Sequence, residues 1–218
     1  LYVVDVLCAD RGAWDQIPTA TMATLTYHAL LTALLVAATF IDYDLYIIPD
    51  QVTVTGMILG LAIGTALPQV RPLPSTATGH WAGLGVGILG LLVGAGLTAG
   101  FRSFFSALLR REAMGFGDVT LMAMIGAFLG WQAAVLTFFL APFFGLAHAF
   151  IKLTTYLQKR LRGVQLSSAD REIPFGPYLS LAAVSLMLSW SWLWPRWAEG
   201  LFRAFRAVFW FMLGVDVG

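Results

Sequence analysis

Long apolar runs recur along this chain, and they leave few folds open to it. Several approach or exceed the ~20 apolar residues that cross a bilayer. In hydrocarbon every backbone N–H and C=O needs a partner inside the protein, so only helices or a closed barrel span. Barrel strands alternate apolar and polar residues, and these runs do not. Composition agrees: 59% of the 218 residues are hydrophobic and 11% are charged, where a soluble domain carries about 25% charged residues. The expected fold is an all-α polytopic membrane protein, with the lipid bilayer as its first partner. A net charge of +1 leaves no electrostatic footprint for nucleic acid. The single cysteine, Cys8, excludes a disulfide or a CxxC metal site within this sequence.

Proline and charge divide the runs into about six full spans. Residues 1–8 read as the tail of a truncated span broken by Asp5, without a signal-peptide pattern, so the start is expected to be missing. A polar loop with Asp10, Arg11, Asp15 and Pro18 leads into a span from about Thr21 to Ile41. An acidic turn, Asp42 to Asp50, follows, and Pro49 stops any helix there. The next span, about Val52 to Leu67, closes on Pro68, Pro72 and Pro74. Trp81 to Phe101 is glycine-rich. Asp118 to Gly130 reads as a short helix, Gln132 to Ile151 as a span, and Phe175 to about Trp194 as the last one. The domain expected is 1–195, embedded in the membrane, with 196–218 as a tail. In the tail, Leu201, Phe202, Phe205, Val208, Phe209 and Met212 share one helical face and Arg203 and Arg206 the other. A helix this short and amphipathic is expected to lie on the membrane. Trp190, Trp192, Trp194 and Trp197 read as an interfacial aromatic belt.

Orientation follows from basic residues. The loops at 102–117 and 152–174 hold eight of the thirteen Lys and Arg residues. Two crossings separate them, so they share a side, expected to be cytoplasmic. Counting back two crossings puts the 42–50 turn on that side as well. Asp42 and Asp118 therefore reach one face. Glycines spaced by four are expected to let helices approach closely: Gly56, Gly60 and Gly64; Gly83 and Gly87; Gly90 and Gly94; Gly96 and Gly100.

Acids at the ends of membrane spans are costly and point to function. Asp118 follows Gly115 and Gly117, where the backbone can turn tightly or approach another chain. The alternative reading is that Asp118 caps the helix beginning at Val119. Asp42 follows a long apolar run and is expected to sit deepest of its group. Asp44 and Asp50 read as solvated, with Asp50 capping the next helix. Two carboxylates held close cannot both ionise cheaply, so one keeps a proton. The ionised one can take a proton from water while the other protonates a substrate carbonyl, which is aspartic-protease chemistry. His28, His80 and His148 read as hydrogen-bonded structure. No metal spacing such as HExxH is present, and no metal is expected.

These residues carry a resemblance. Ile41-Asp42-Tyr43-Asp44 with Ile48-Pro49-Asp50 resembles the first catalytic motif of type IV prepilin peptidases. GFGD at 115–118 resembles their second, GxGD. Ile173-Pro174-Phe175-Gly176-Pro177-Tyr178 resembles their IPFGPY segment. The resemblance implies an eight-span inner-membrane aspartic protease that removes the basic leader of type IV prepilins and pseudopilins after a glycine, on the cytoplasmic side. It implies Asp42 and Asp118 as the catalytic pair. Gly115, Gly117, Pro174, Phe175, Gly176 and Pro177 are expected to shape the site or bind substrate, with Gly176 allowing close approach. Proteolysis implies no cofactor. Full-length relatives also carry paired CxxC motifs and methylate the new N-terminus with S-adenosylmethionine, a cofactor expected only if a methyltransferase part precedes this sequence. The reading from another class is an ion- or proton-coupled transporter or channel using intramembrane acids, although the interrupted repeats usual in transporters are not seen. A preflagellin-type or presenilin-like GxGD protease is a further relative of the same chemistry, against which the IPFGPY segment and the Ile48-Pro49-Asp50 turn argue.

Overall fold

The computed structural model describes residues 19–71, 79–110, 114–161 and 175–212. Every regular element among them is helical: α1 (Thr19–Leu45), α2 (Asp50–Ala66), a short 3₁₀ turn (Pro68–Val70), α3 (His80–Leu109), α4 (Phe116–Leu129), α5 (Trp131–Leu161), α6 (Gly176–Leu193) and α7 (Glu199–Met212), with a π turn over Trp194–Ala198. Among the described residues three stretches are long and apolar enough to cross a membrane: Thr21–Leu45, His80–Leu109 and Trp131–Phe150. Two shorter apolar helices, Phe116–Leu129 and Gly176–Trp190, accompany them. The segment expected to end a span at 1–8, the loop expected at 9–18, Pro72, Pro74, Arg111, Glu112, most of the second basic loop and Pro174 lie outside the described residues.

The bundle is built around α4. Asp118, Val119 and every residue from Leu121 to Leu129 are buried, and α2, α3, α5 and α6 pack around them. Glycine makes this closeness attainable. A Cβ on Gly90 would collide with the Gly126 carbonyl, and a Cβ on Gly126 with that of Gly90. Two main chains touch there, as small residues permit between membrane helices. On α2, Gly56 and Gly60 make room for Met124 and Phe128. Gly96 and Gly100 differ from their expected role: they are exposed, and a Cβ there would meet nothing within 4 Å. They lie on the face of α3 away from α4.

Several boundaries move for local reasons. α1 continues past Ile41 to Leu45, so Asp42 and Asp44 ride its last turn rather than a loop. At roughly 100° per residue they stand about 200° apart. Asp42 is accordingly 7% exposed, whereas Asp44 and Asp50 are both exposed. The helix ends because Tyr46 adopts a left-handed conformation (φ 55°), and its N–H returns to the Asp42 carbonyl at 2.9 Å, an αL cap. Asp50 is the first residue of α2 and not its cap; Pro49 holds that position. α3 runs on past Phe101 to Leu109 and carries Arg102 with it.

The tail forms the expected helix. Leu201, Phe205 and Met212 are exposed on it, while the side chains of Arg206, Val208 and Phe209 lie outside the described set. The tryptophans divide. Trp192 and Trp197 face outward, as a belt requires, but Trp190 is buried. It stacks on Trp194 at 5.0 Å, and Trp194 stacks on Phe202 at 5.6 Å. That stack docks α7 against the bundle.

Candidate active site

Three helix ends meet at one end of the bundle: the C-terminus of α1 and the N-termini of α4 and α6. Asp118 stands third in α4, whose N-cap is Gly115 with extended backbone (φ −65°, ψ 154°). Asp118 is therefore not the N-cap residue. Its carboxylate instead accepts from the backbone N–H of Gly115, the backward half of a capping box. Thr120 Oγ1 donates to the Gly117 carbonyl at 2.9 Å, tightening the same turn. Arg102 Nε donates to the Met114 carbonyl at 2.9 Å, tying the approach to this turn to the end of α3.

Asp42 comes from the other direction. The N–H of Gly176, first residue of α6, serves its carboxylate. The first N–H groups of a helix have no intrahelical partner and carry the positive end of its dipole. Pro177 has no N–H to offer, and the N–H groups of Tyr178 and Leu179 turn back to the Phe175 carbonyl at 3.1 and 3.2 Å. Asp42 Oδ2 has no hydrogen-bond partner among the described residues. Both acids are 7% exposed, and Asp42 lies within electrostatic reach of Asp118.

Glycine and one isoleucine set the spacing between them. A Cβ on Gly176 would lie 2.5 Å from Asp42 Oδ2 and 2.9 Å from Ile48 Cδ1. A Cβ on Gly117 would lie 2.9 Å from Ile48 Cβ. Ile48, 6% exposed, thus wedges between the glycine beside each acid. Gly115 is different: it is exposed, and the nearest atom to its Cβ position is Asp118 Oδ2 at 3.6 Å. Phe175 is half-buried and rests near Tyr178, ring centroids 6.4 Å apart. Pro177 is half-buried in the first turn of α6.

The arrangement joins Asp42, Asp118, Gly117 and Gly176, and leaves Asp44 and Asp50 outside. Ile48 stands in the first motif with no role that its sequence assigns. Its hydrophobicity beside Pro49 gives no sign that two glycines from distant helices close on it. Of the histidines, His80 Nδ1 meets the Thr65 carbonyl at 2.9 Å, and His148 packs edge-on to Tyr178 at 5.7 Å. Among the described residues no three His, Cys, Asp or Glu side chains gather as a metal site.

The profile of the type IV leader peptidase family matches residues 29–150, a stretch that holds both buried acids and stops short of Phe175. The prepilin leader peptidase/N-methyltransferase of Aeromonas hydrophila is 34% identical over 174 residues, covering 80% of this chain and 50% of that protein. Its namesake in Pseudomonas aeruginosa is 30% identical over 176 residues, covering 81% and 51%. That of Pseudomonas putida is 29% identical over 174 residues, covering 80% and 50%. The chain spans about half the length of these curated relatives. No solved structure matches it.

Proposed function

From the premise that this chain belongs to the type IV leader peptidase family, we propose that it is a membrane-embedded aspartic endopeptidase. Its substrates are type IV prepilins or pseudopilins, whose basic leader it removes after a glycine at the cytoplasmic face of the inner membrane. The observation that supports this reading is the pair of buried acids, Asp42 and Asp118, brought to one end of the bundle from helices α1 and α4, which α2 and α3 separate along the chain. The excess of Lys and Arg in the sequence segments 102–117 and 152–174 supports the cytoplasmic side.

In this mechanism the two carboxylates share one proton, because two like charges so close in a partly desolvated site are costly. The ionised carboxylate takes a proton from a water as its oxygen attacks the scissile carbonyl. The protonated carboxylate gives its proton to the carbonyl oxygen, forming a neutral tetrahedral diol. In collapse the newly protonated carboxyl gives its proton to the leaving nitrogen, the other carboxylate takes one from a diol hydroxyl, and the C–N bond breaks, which restores the shared-proton pair. The unpartnered Asp42 Oδ2 is where a water or the shared proton fits. Gly117 and Gly176 keep side chains out of the gap, and Phe175 and Pro177 shape the rim at the start of α6.

The test is cleavage of a glycine-terminated basic leader by the full-length protein in membranes. Asp42→Asn and Asp118→Asn are each expected to reduce cleavage to background while the protein still accumulates. Normal cleavage by either variant removes the pair from the mechanism. Ion flux in vesicles that is lost in Asp118→Asn, without any leader cleavage by the wild type, would favour a transporter instead.

A further inference from the structure

The end of α4 remote from the acids presents a separate problem. The helix has 14 residues, about 21 Å at ~1.5 Å per residue, against a hydrocarbon core of about 30 Å. The last carbonyls of any helix lack intrahelical partners, and in hydrocarbon such groups must be satisfied by protein. Ala127, Phe128 and Leu129 are 0–1% exposed, so water does not serve them.

Arg71 and Tyr27 do. Arg71 Nη2 donates to the Ala127 carbonyl at 3.3 Å, and the Tyr27 hydroxyl reaches the Phe128 carbonyl at 3.0 Å. The same two side chains tie in the neighbouring helices. Arg71 Nη1 donates to the Gly64 carbonyl, in the last turn of α2, at 3.1 Å and to the Gly83 carbonyl near the start of α3. The Tyr27 hydroxyl also lies 3.1 Å from the Gly60 carbonyl and accepts from Arg71. Room for the guanidinium comes from Gly64 and Gly87, where a Cβ would strike it. Arg71 is 6% exposed, and among the described residues no carboxylate pairs with it. Burial lowers its pKa, with Tyr27 acting in the other direction, but an arginine starts high enough to stay charged. Its charge is balanced by the negative ends of two helix dipoles, those of α2 and α4.

Little else on α4 has direction along its axis. Its flanks are apolar side chains and glycine contacts, which tolerate sliding better than hydrogen bonds do. We propose that Arg71, with Tyr27, is a positioning residue: an internal C-cap that sets the height of α4 and thereby holds Asp118 opposite Asp42. This rests on the peptidase reading above. A helix is stiff along its length, so a shift at one end arrives at the other. A misplacement of about 1 Å can cost roughly 10²-fold in rate. Lysine cannot replace the group, because a single ammonium lacks the planar fork that bridges several carbonyls.

The experiment uses the full-length protein with a glycine-terminated leader substrate and the variants Arg71→Met, Arg71→Lys and Tyr27→Phe. Expected is a fall in kcat per folded molecule of about ten- to a hundredfold for Arg71→Met, with KM within about twofold. Arg71→Lys should recover only part of the loss, and Tyr27→Phe should lose about three- to tenfold. A cap that served stability alone would lower the yield of folded protein and leave kcat unchanged. If Arg71→Met does not fold, the two conservative variants decide. Unchanged kcat in both overturns the proposal. A second measurement does not need activity. Spin labels at the exposed Ile47 and Phe116, on either side of the acids, should show a shifted or broadened distance in Arg71→Lys. An unchanged distribution also overturns the cap. Asp118→Asn, assayed alongside, isolates the premise: normal cleavage there sinks the peptidase reading whatever Arg71 does.

Discussion

At its N-terminal end α4 turns Asp118 toward Asp42, and one oxygen of that pair, Asp42 Oδ2, is buried without a hydrogen bond among the described residues. At its C-terminal end, about 21 Å away, the Ala127 and Phe128 carbonyls are taken up by Arg71 and Tyr27. Both ends place polar groups among apolar neighbours. An unmet buried hydrogen-bonding group costs about 1–3 kcal/mol. The C-terminal end avoids most of that cost by spending side-chain donors on main-chain carbonyls from three helices, with Arg71 Nε the one atom of that group left over. The N-terminal end keeps the cost, and an acid left short of partners can hold a water or a proton. In the proposed reading this difference separates a structural polar cluster from a chemical one, although hydrophobic sequence surrounds both.

The substitutions that break this contrast most completely are Asp42→Asn and Asp118→Asn. Each is expected to take leader cleavage to background, far beyond any effect at the Arg71 end. Next come the glycines that hold the acids together. Gly176→Ala and Gly117→Ala are each expected to lower cleavage per folded molecule by about tenfold or more, because a methyl group would push into Asp42 or Ile48. Full activity in Gly176→Ala would mean that the close approach of α6 to Asp42 is dispensable. Between the two ends, Gly90→Ala should destabilise by about 1–3 kcal/mol through overpacking against Gly126. Gly96→Ala, facing open space, should instead raise stability by up to about 1 kcal/mol. Thermal denaturation in detergent reads both, and equal shifts would show that the α3–α4 contact is looser than described. The smallest effects belong to Asp44→Asn and Gly115→Ala, both exposed. Each should keep cleavage within about twofold. A large loss at Asp44 would erase the distinction between it and Asp42.

Much of this was readable in the residues. Asp42 was expected to lie deepest of its group because a long apolar run precedes it, and helical rotation explains why Asp44, two positions on, faces away. The four-residue spacing marked Gly56, Gly60, Gly64, Gly83, Gly87, Gly90 and Gly94 as packing positions, all of them buried. The same spacing marked Gly96 and Gly100, which are not, because periodicity reports a shared face without saying what that face meets. The aromatic belt failed in the same way for Trp190, which turns inward to stack on Trp194. Nothing in the sequence marks Arg71 in its proline-rich loop. Its partners are carbonyl oxygens, which every residue possesses and no side-chain letter records.

By itself the sequence determined the helical class, the order of the apolar segments and the motifs that resemble one family. These depend on composition, period and order, which are properties of the chain read in line. Only the tertiary structure decided that α4 is sheathed by protein while α3, also strongly apolar, is 22% buried over its most apolar window. Hydropathy measures aversion to water and cannot tell a lipid neighbour from a protein one. Tertiary structure alone also decided which glycines touch and what satisfies the far end of α4, since main-chain contacts between distant helices are set by packing and leave no pattern along the sequence.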